Sequence, residues 1–180
     1  MDESENTSVF SEFPTLLHPR ERFLARVAAV LRFDGEIYAE IEQDPHATPQ
    51  AFAVVIGTAV LAGFGQGSAA AIFLGIAVAA LVWALATALV WCVGVLLIGP
   101  TSEFPPLLRC LGFAYVWFGL LIGASLPYVG LLVGWAGVLL YLGSLVLATR
   151  QAFQTSTGRA ALISGVALGI PLLILFWVVG

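Results

Sequence analysis

The chain has 180 residues, of which 60% are hydrophobic and 10% charged, against roughly 45–50% and about 25% in an ordinary soluble domain. Seven basic and 11 acidic side chains cannot cover so apolar a mass in water, which excludes a soluble globular fold. The formal net charge of -4 says less than its distribution: every basic residue is Arg, at positions 20, 22, 26, 32, 109, 150 and 159, and every acid except Glu103 lies between Asp2 and Asp44.

Residues 1–18 carry Asp2, Glu3, Glu5 and Glu12 and no Arg, the pattern of a solvated, disordered acidic tail. With no continuous apolar core in residues 1–19, no cleavable leader is expected, and the first span must direct insertion. From Pro19 the period changes. At 100° per residue, Phe23, Leu24, Val27, Val30 and Leu31 share one arc, and Arg22, Arg26 and Arg32 lie opposite. Such an amphipathic helix suits the cytoplasmic membrane interface, each Arg adding on the order of 1 kcal/mol near anionic lipid. A second short helix is predicted behind an Asp34 N-cap, with Ile37, Tyr38 and Ile41 on one face and Glu36, Glu40 and Glu42 on the other, ending at Asp44-Pro45. Anionic headgroups would repel it. It is therefore expected to dock on the cytoplasmic end of the bundle, pairing Glu40 and Asp44, with Glu103, among Arg109, Arg150 and Arg159. His18 reads as a cap or turn residue.

Three stretches free of Asp, Glu, Lys and Arg follow, from Asp44 to Glu103, from Arg109 to Arg150 and from Arg159 to the end. At about 20 residues per crossing they have room for two, two and one helices. Turns at Gly65-Gln66-Gly67-Ser68 and Ser125-Leu126-Pro127 divide the first two. The five spans fall near 51–64, 70–98, 106–124, 128–149 and 159–179. The first is short and should reach back to Thr48, with Thr48 as N-cap and Pro49 as first helical residue, or forward through Gly65. Five spans place every Arg on one side, so the positive-inside rule puts the N-terminus in the cytoplasm and the C-terminus outside.

Several segments resemble those of bacterial Yip1-domain proteins: Tyr38-Ala-Glu-Ile-Glu-Gln-Asp-Pro45, then Ala47-Thr-Pro-Gln-Ala51 before a glycine-ending span, Glu103-Phe-Pro-Pro-Leu-Leu-Arg-Cys-Leu-Gly-Phe-Ala114, and Ser156-Thr-Gly-Arg-Ala160. The resemblance covers Arg20 to the end. It implies a five-helix membrane domain with a cytoplasmic N-terminus, in a family whose eukaryotic members engage prenylated small GTPases and shape membranes. The aspartate-leucine-tyrosine-glycine-proline element of that eukaryotic branch is missing, the nearest stretch being Leu97-Ile-Gly-Pro100, so the resemblance does not carry GTPase binding.

Each grouping that could bear chemistry has a plainer reading. Glu40, Glu42, Asp44 and His46 fit no strong ligand pattern and read as a solvated acidic face rather than a metal site. Cys92 and Cys110 read as small hydrophobes in a reducing compartment, palmitoylation or redox sensing being the alternatives. Gly119 with Gly123, Gly130 with Gly134 and Gly165 with Gly169 form GxxxG pairs suited to close packing, within the bundle or between two copies. Pro171 should kink the fifth helix. No nucleophile–base pair or intramembrane carboxylate supports catalysis or an ion path, and the Arg helix, set between acidic blocks, does not suit nucleic acid.

The expected protein is thus an all-α, polytopic five-helix bundle with an N-terminal amphipathic interfacial helix: an acidic tail at 1–18, a cytoplasmic arm at 19–46 and a transmembrane Yip1-like domain at 47–180. The expected function is a non-enzymatic adaptor or scaffold without cofactor, whose arm, through Arg22, Arg26 and Arg32, meets lipid headgroups or another membrane or cytoplasmic protein. The alternative is a transport protein, or the membrane subunit of a transporter, for a small neutral solute. A water-accessible midspan cavity reaching Thr87, Ser144 or Ser164 would favour the alternative.

Overall fold

A computed structural model describes residues 19–65, 69–99 and 102–179. The acidic tail with His18, and the Gln66, Gly67 and Ser68 part of the first turn, lie outside them. The described residues are helical, with no strand among them. In chain order they form α1 (Pro19–Leu31), α2 (Ile37–Gln43), α3 (Ala47–Gly65), α4 (Ala69–Ile98) and α5 (Phe104–Ala114). A 3-10 segment (Tyr115–Ser125), α6 (Gly130–Ala152) and α7 (Thr157–Val179) follow.

Four helices among the described residues are long and apolar enough to cross a membrane: Ala47–Phe64, Ile72–Ile98, Phe104–Gly123 and Gly130–Ala152. The protein is therefore built for multiple passes through a bilayer. The helix of 27 residues rises about 40 Å, more than a hydrocarbon core of about 30 Å, so it must tilt or protrude. Thr48 is not the cap of α3. The helix starts one residue earlier, its first N–H groups reaching back from Ala47 to the Asp44 carbonyl and from Thr48 to that of Pro45, and Pro49 sits in the first turn, where a missing donor costs nothing.

The long helices close a ring in which α3 packs on α4, α4 on α7, α7 on α6, α6 on α5 and its 3-10 extension, and these on α3. Within it, α5 is buried over the whole run from Arg109 to Ala114. Gly112 makes this possible: a methyl there would stand 2.7 Å from Ala51 Cβ of α3 and 3.0 Å from the Trp83 ring of α4. The Trp83 indole N–H then donates to the Leu108 carbonyl at 3.1 Å, and that of Trp91 to Ser102 at 3.0 Å, pinning α4 to the start of the third span.

The GxxxG pairs behave differently from one another. Gly119 lies 3.7 Å from Thr58 by the same measure, and Gly123 is tight against Val133 at 2.9 Å. Gly130 and Gly134 instead line an open groove with Leu131 and Trp135, and Gly165 and Gly169 have open space beside them. Close packing falls to Gly123 of the third span and to glycines outside any pair: Gly63 against Ile72, Gly94 against the Phe153 ring, Gly112, and Gly137 against the Trp117 carbonyl. Backbone approach depends on what the facing helix presents, which spacing along one helix does not encode.

Candidate functional site

The arm is part of the core. Val30, Tyr38 and Ile41 are fully buried and join one apolar cluster with Leu107, Leu111 and Leu145. α2 packs on α5 and α6, while α1 lies against α2, α5 and the 3-10 segment. Burying α2's apolar face removes it from water, and its remaining polar groups then need partners. They find them: the Tyr38 hydroxyl pairs with Ser144 Oγ at 2.5 Å, the Cys110 thiol donates to the Tyr38 carbonyl at 3.5 Å, and Arg109 Nη2 donates to the Glu42 carbonyl. Asp34 does not cap α2. Its Oδ1 accepts the Glu36 N–H in an Asx turn one step earlier, and Glu36 is the N-cap, without a side-chain bond.

Arg26 departs most from its expected place. It is 2% exposed and not opposite the apolar arc: at 100° per residue it stands about 40° from Val30, at the border of that arc. Its Nε and Nη2 donate to Glu40 Oε1 at 3.0 and 2.8 Å, Nη2 also to Asp44 Oδ2 at 2.6 Å, and Nη1 to Gln50 Oε1 at 2.7 Å. One guanidinium thereby ties α1 to α2 and to the first turns of α3, using the planar fork that suits Arg to carboxylates. The charge partners of Glu40 and Asp44 therefore come from within the arm, not from Arg109, Arg150 or Arg159. Burial alone would raise the Asp44 carboxyl, but its bonds from Arg26 and the His46 N–H outweigh burial and hold it below its ordinary 3.8. Burial dominates at Glu42, lifting it above 4.5 despite the nearby Arg109 charge.

Rotating Arg26 inward rotates apolar residues outward. Leu24 is 64% and Leu31 42% exposed, with Phe33 beyond them at 37%, and Arg20, Glu21 and Arg32 are exposed beside them. The exposed edge at α1 is thus Arg20, Leu24, Leu31 and Arg32. Of the three expected residues only Arg32 is exposed, since Arg22 is half-buried with its Nε enclosed and unbonded. Arg150 and Arg159 are exposed, Arg150 with Nη2 4.0 Å from the position a methyl on Gly35 would take. Glu103 is an exposed N-cap of α5 without a side-chain cap bond.

Phe33 closes the site. Its φ of 56° is the left-handed region that a residue with a side chain seldom adopts. That turn stacks the ring on Trp117 with centroids 5.2 Å apart and brings it within 3.1 Å of a methyl built on Gly143. Nothing in the sequence around Phe33 marks it; the nearest sign is Gly35, two residues on.

Among the described residues the buried serine and threonine hydroxyls are bonded within the protein. Thr58 donates to the Val54 and Val55 carbonyls, Thr87 to Trp83, and Ser164 to Thr149 Oγ1. Among the described residues no three His, Cys, Asp or Glu groups gather as metal ligands. The exposed grooves are apolar, such as one of about 280 Å³ between α3, α4 and the 3-10 segment, lined by Ala62, Gly63, Val78, Tyr115 and Phe118. No protein-family model, curated protein or solved structure matches the chain.

Proposed function

We propose that this protein is a non-enzymatic, Yip1-like membrane adaptor or scaffold with five crossings and a cytoplasmic N-terminus, whose arm presents one edge of α1 to the bilayer surface or to a partner protein. The single observation that carries the reading is that edge: Leu24 and Leu31 exposed between the exposed Arg20 and Arg32, apolar and cationic groups side by side as an anionic lipid interface requires. The fifth crossing is α7, a helix of 23 residues with no charged side chain after Arg159. The placement of every Arg on or beside the N-terminal arm and the 99–105 and 149–159 segments supports the orientation. The family reading rests on the quoted segments from Tyr38 to Ala160. The internally bonded Thr87 and Ser144 favour a scaffold over a neutral-solute pathway, although Ser164 is among the residues lining a groove of about 360 Å³ between α6 and α7.

The test uses nanodiscs containing anionic lipid and a bimane label on Leu24→Cys or Leu31→Cys, with both native cysteines replaced by Ala. Quenching by spin-labelled lipids is expected at both positions, weakening when Arg20 and Arg32 become Gln. Unquenched label at both positions would remove lipid as the arm's contact. In that case a partner that copurifies from native membranes, and is lost on the same Gln substitutions, is required. Without one the adaptor reading fails.

A further inference from the structure

We infer that the α1–α2 hairpin is a displaceable plug, seated in the Arg-rich end of the bundle and held by the Arg26 latch, whose release uncovers the buried Cys110, Ser144 and Arg109 beneath it. Three observations meet here. The first is depth. The fully buried Tyr38 bonds Ser144, about 12 Å inside the Ala152 end of α6 at 1.5 Å per residue, and the partly exposed Phe33 ring lies beside Gly143 next to it. The hairpin is wedged among the helix ends instead of resting on them.

The second observation is that the seated state carries opposing contributions of comparable kind. Burial of Val30, Tyr38 and Ile41 and the four-way hydrogen bonding of Arg26 hold it in. Against it stand two guanidinium Nε–H groups, of Arg22 and Arg109, enclosed without a partner. An unpaired buried donor regains its hydrogen bond to water on release. An element so balanced has two accessible arrangements.

The third is the coupling of latch to hinge through one carboxylate. Asp44 Oδ2 accepts from Arg26 and Oδ1 accepts the His46 N–H at 2.9 Å. The backbone at Asp44 is extended where α2 ends, and α3 begins at Ala47. The 44–46 turn joining the hairpin to the first span is therefore shaped by the same side chain that holds the latch. Losing the Arg26 contact releases one oxygen of the side chain that shapes the hinge. Ligand or partner capture of Leu24 and Leu31 would pull on α1 and bias the same equilibrium, but the plug opens whatever the outer edge of α1 touches.

Cys110 reports on the seat directly, because its thiol lies under the Tyr38 carbonyl and Cys92 is the chain's other cysteine. In full-length Cys92→Ala protein in nanodiscs, a membrane-impermeant maleimide is expected to modify Cys110 slowly. Arg26→Ala should speed this by about tenfold or more, and Tyr38→Phe by less, with the detergent-extracted protein still eluting as a single sharp peak. Equal rates in the parent and Arg26→Ala would overturn the plug. Hydrogen exchange on the Cys92→Ala parent is independent of whether the latch variants fold. Residues 19–46 should exchange together, well ahead of α5. Protection of that segment equal to that of α5 would make it a fixed part of the core and end the proposal.

Discussion

Replacing Asp44 by Asn leaves a shape of the same size but removes a charge-assisted bond to a guanidinium that is almost wholly out of water. Bonds of this kind contribute about 1.5–3 kcal/mol, so hydrogen-exchange protection across residues 19–46 should fall by a corresponding one to two powers of ten. The pH dependence follows from the same group. Asp44 titrates below its ordinary value in the folded arm, so its contribution is complete above pH 3.8 and is lost as pH falls through the depressed value. Arm protection, corrected for intrinsic exchange, should stay level from pH 8 to 5 as far as Asp44 is concerned. Glu42 has the opposite sign: burial raises it, so its charge opposes seating once pH exceeds the raised value. Glu42→Gln keeps the carbonyl that Arg109 uses, and at pH 7 it should leave Cys110 labelling no faster than in the parent. Faster labelling would show that attraction to Arg109 outweighs desolvation.

Among the helices, the informative contrast is between two glycines that look alike as letters. Gly112→Ala drives a methyl into Ala51 and Trp83, and overpacking of this kind costs about 1–3 kcal/mol. Thermal unfolding followed by tryptophan emission should show the lowered midpoint. Gly165 has open space, so Gly165→Ala should leave the midpoint unchanged or raise it slightly, as Ala is the better helix former. If instead Gly165→Ala dissociates a dimer seen by single-molecule photobleaching in nanodiscs, the open face of α7 serves a second copy. Trp83→Phe removes the indole donor to Leu108 while keeping most of the ring, and should cost about 1 kcal/mol. The 3-10 segment of 11 residues is longer than such helices usually run. It carries Trp117, on which Phe33 stacks, so the third span and the arm share an aromatic joint.

For the molecule as a whole, the five crossings we propose would put the two ends on opposite sides of the membrane. A reporter fused after Gly180 should be active outside the cytoplasm and one before Met1 inside it. Reporters active on the same side would remove α7 as a crossing. The helices themselves were legible because a bilayer leaves little choice: backbone polar groups must bond within the segment, so long apolar runs become helices and their ends fall where charge or Gly, Ser and Pro appear. The breaks before Glu103 and near Pro127 are visible on those grounds, and α4 and α7 lie within a residue or two of the expected bounds. The site was less legible. The docking of α2 was expected, but its pairing was assigned to Arg109, Arg150 and Arg159, and α1 was placed in the membrane interface. A helical wheel sorts residues by polarity, and no wheel shows that a buried Arg can be satisfied by two carboxylates and an amide lying 14 to 24 residues further along the chain.

What the sequence alone determined is therefore the environment and the helices: 10% charge, gathered at the arm and at two short segments, forces an apolar all-α chain into a membrane. Tertiary structure decided which way each helix faces. Rotating α1 to bury Arg26 exposes Leu24 and Leu31, and bringing α5 against α3 and α4 makes Gly112, not the paired glycines of α7, the close contact. The physical reason is range. Solvent transfer and backbone hydrogen bonding act on each segment by itself, whereas ion pairing and steric fit depend on atoms supplied by distant segments, whose arrival only folding arranges.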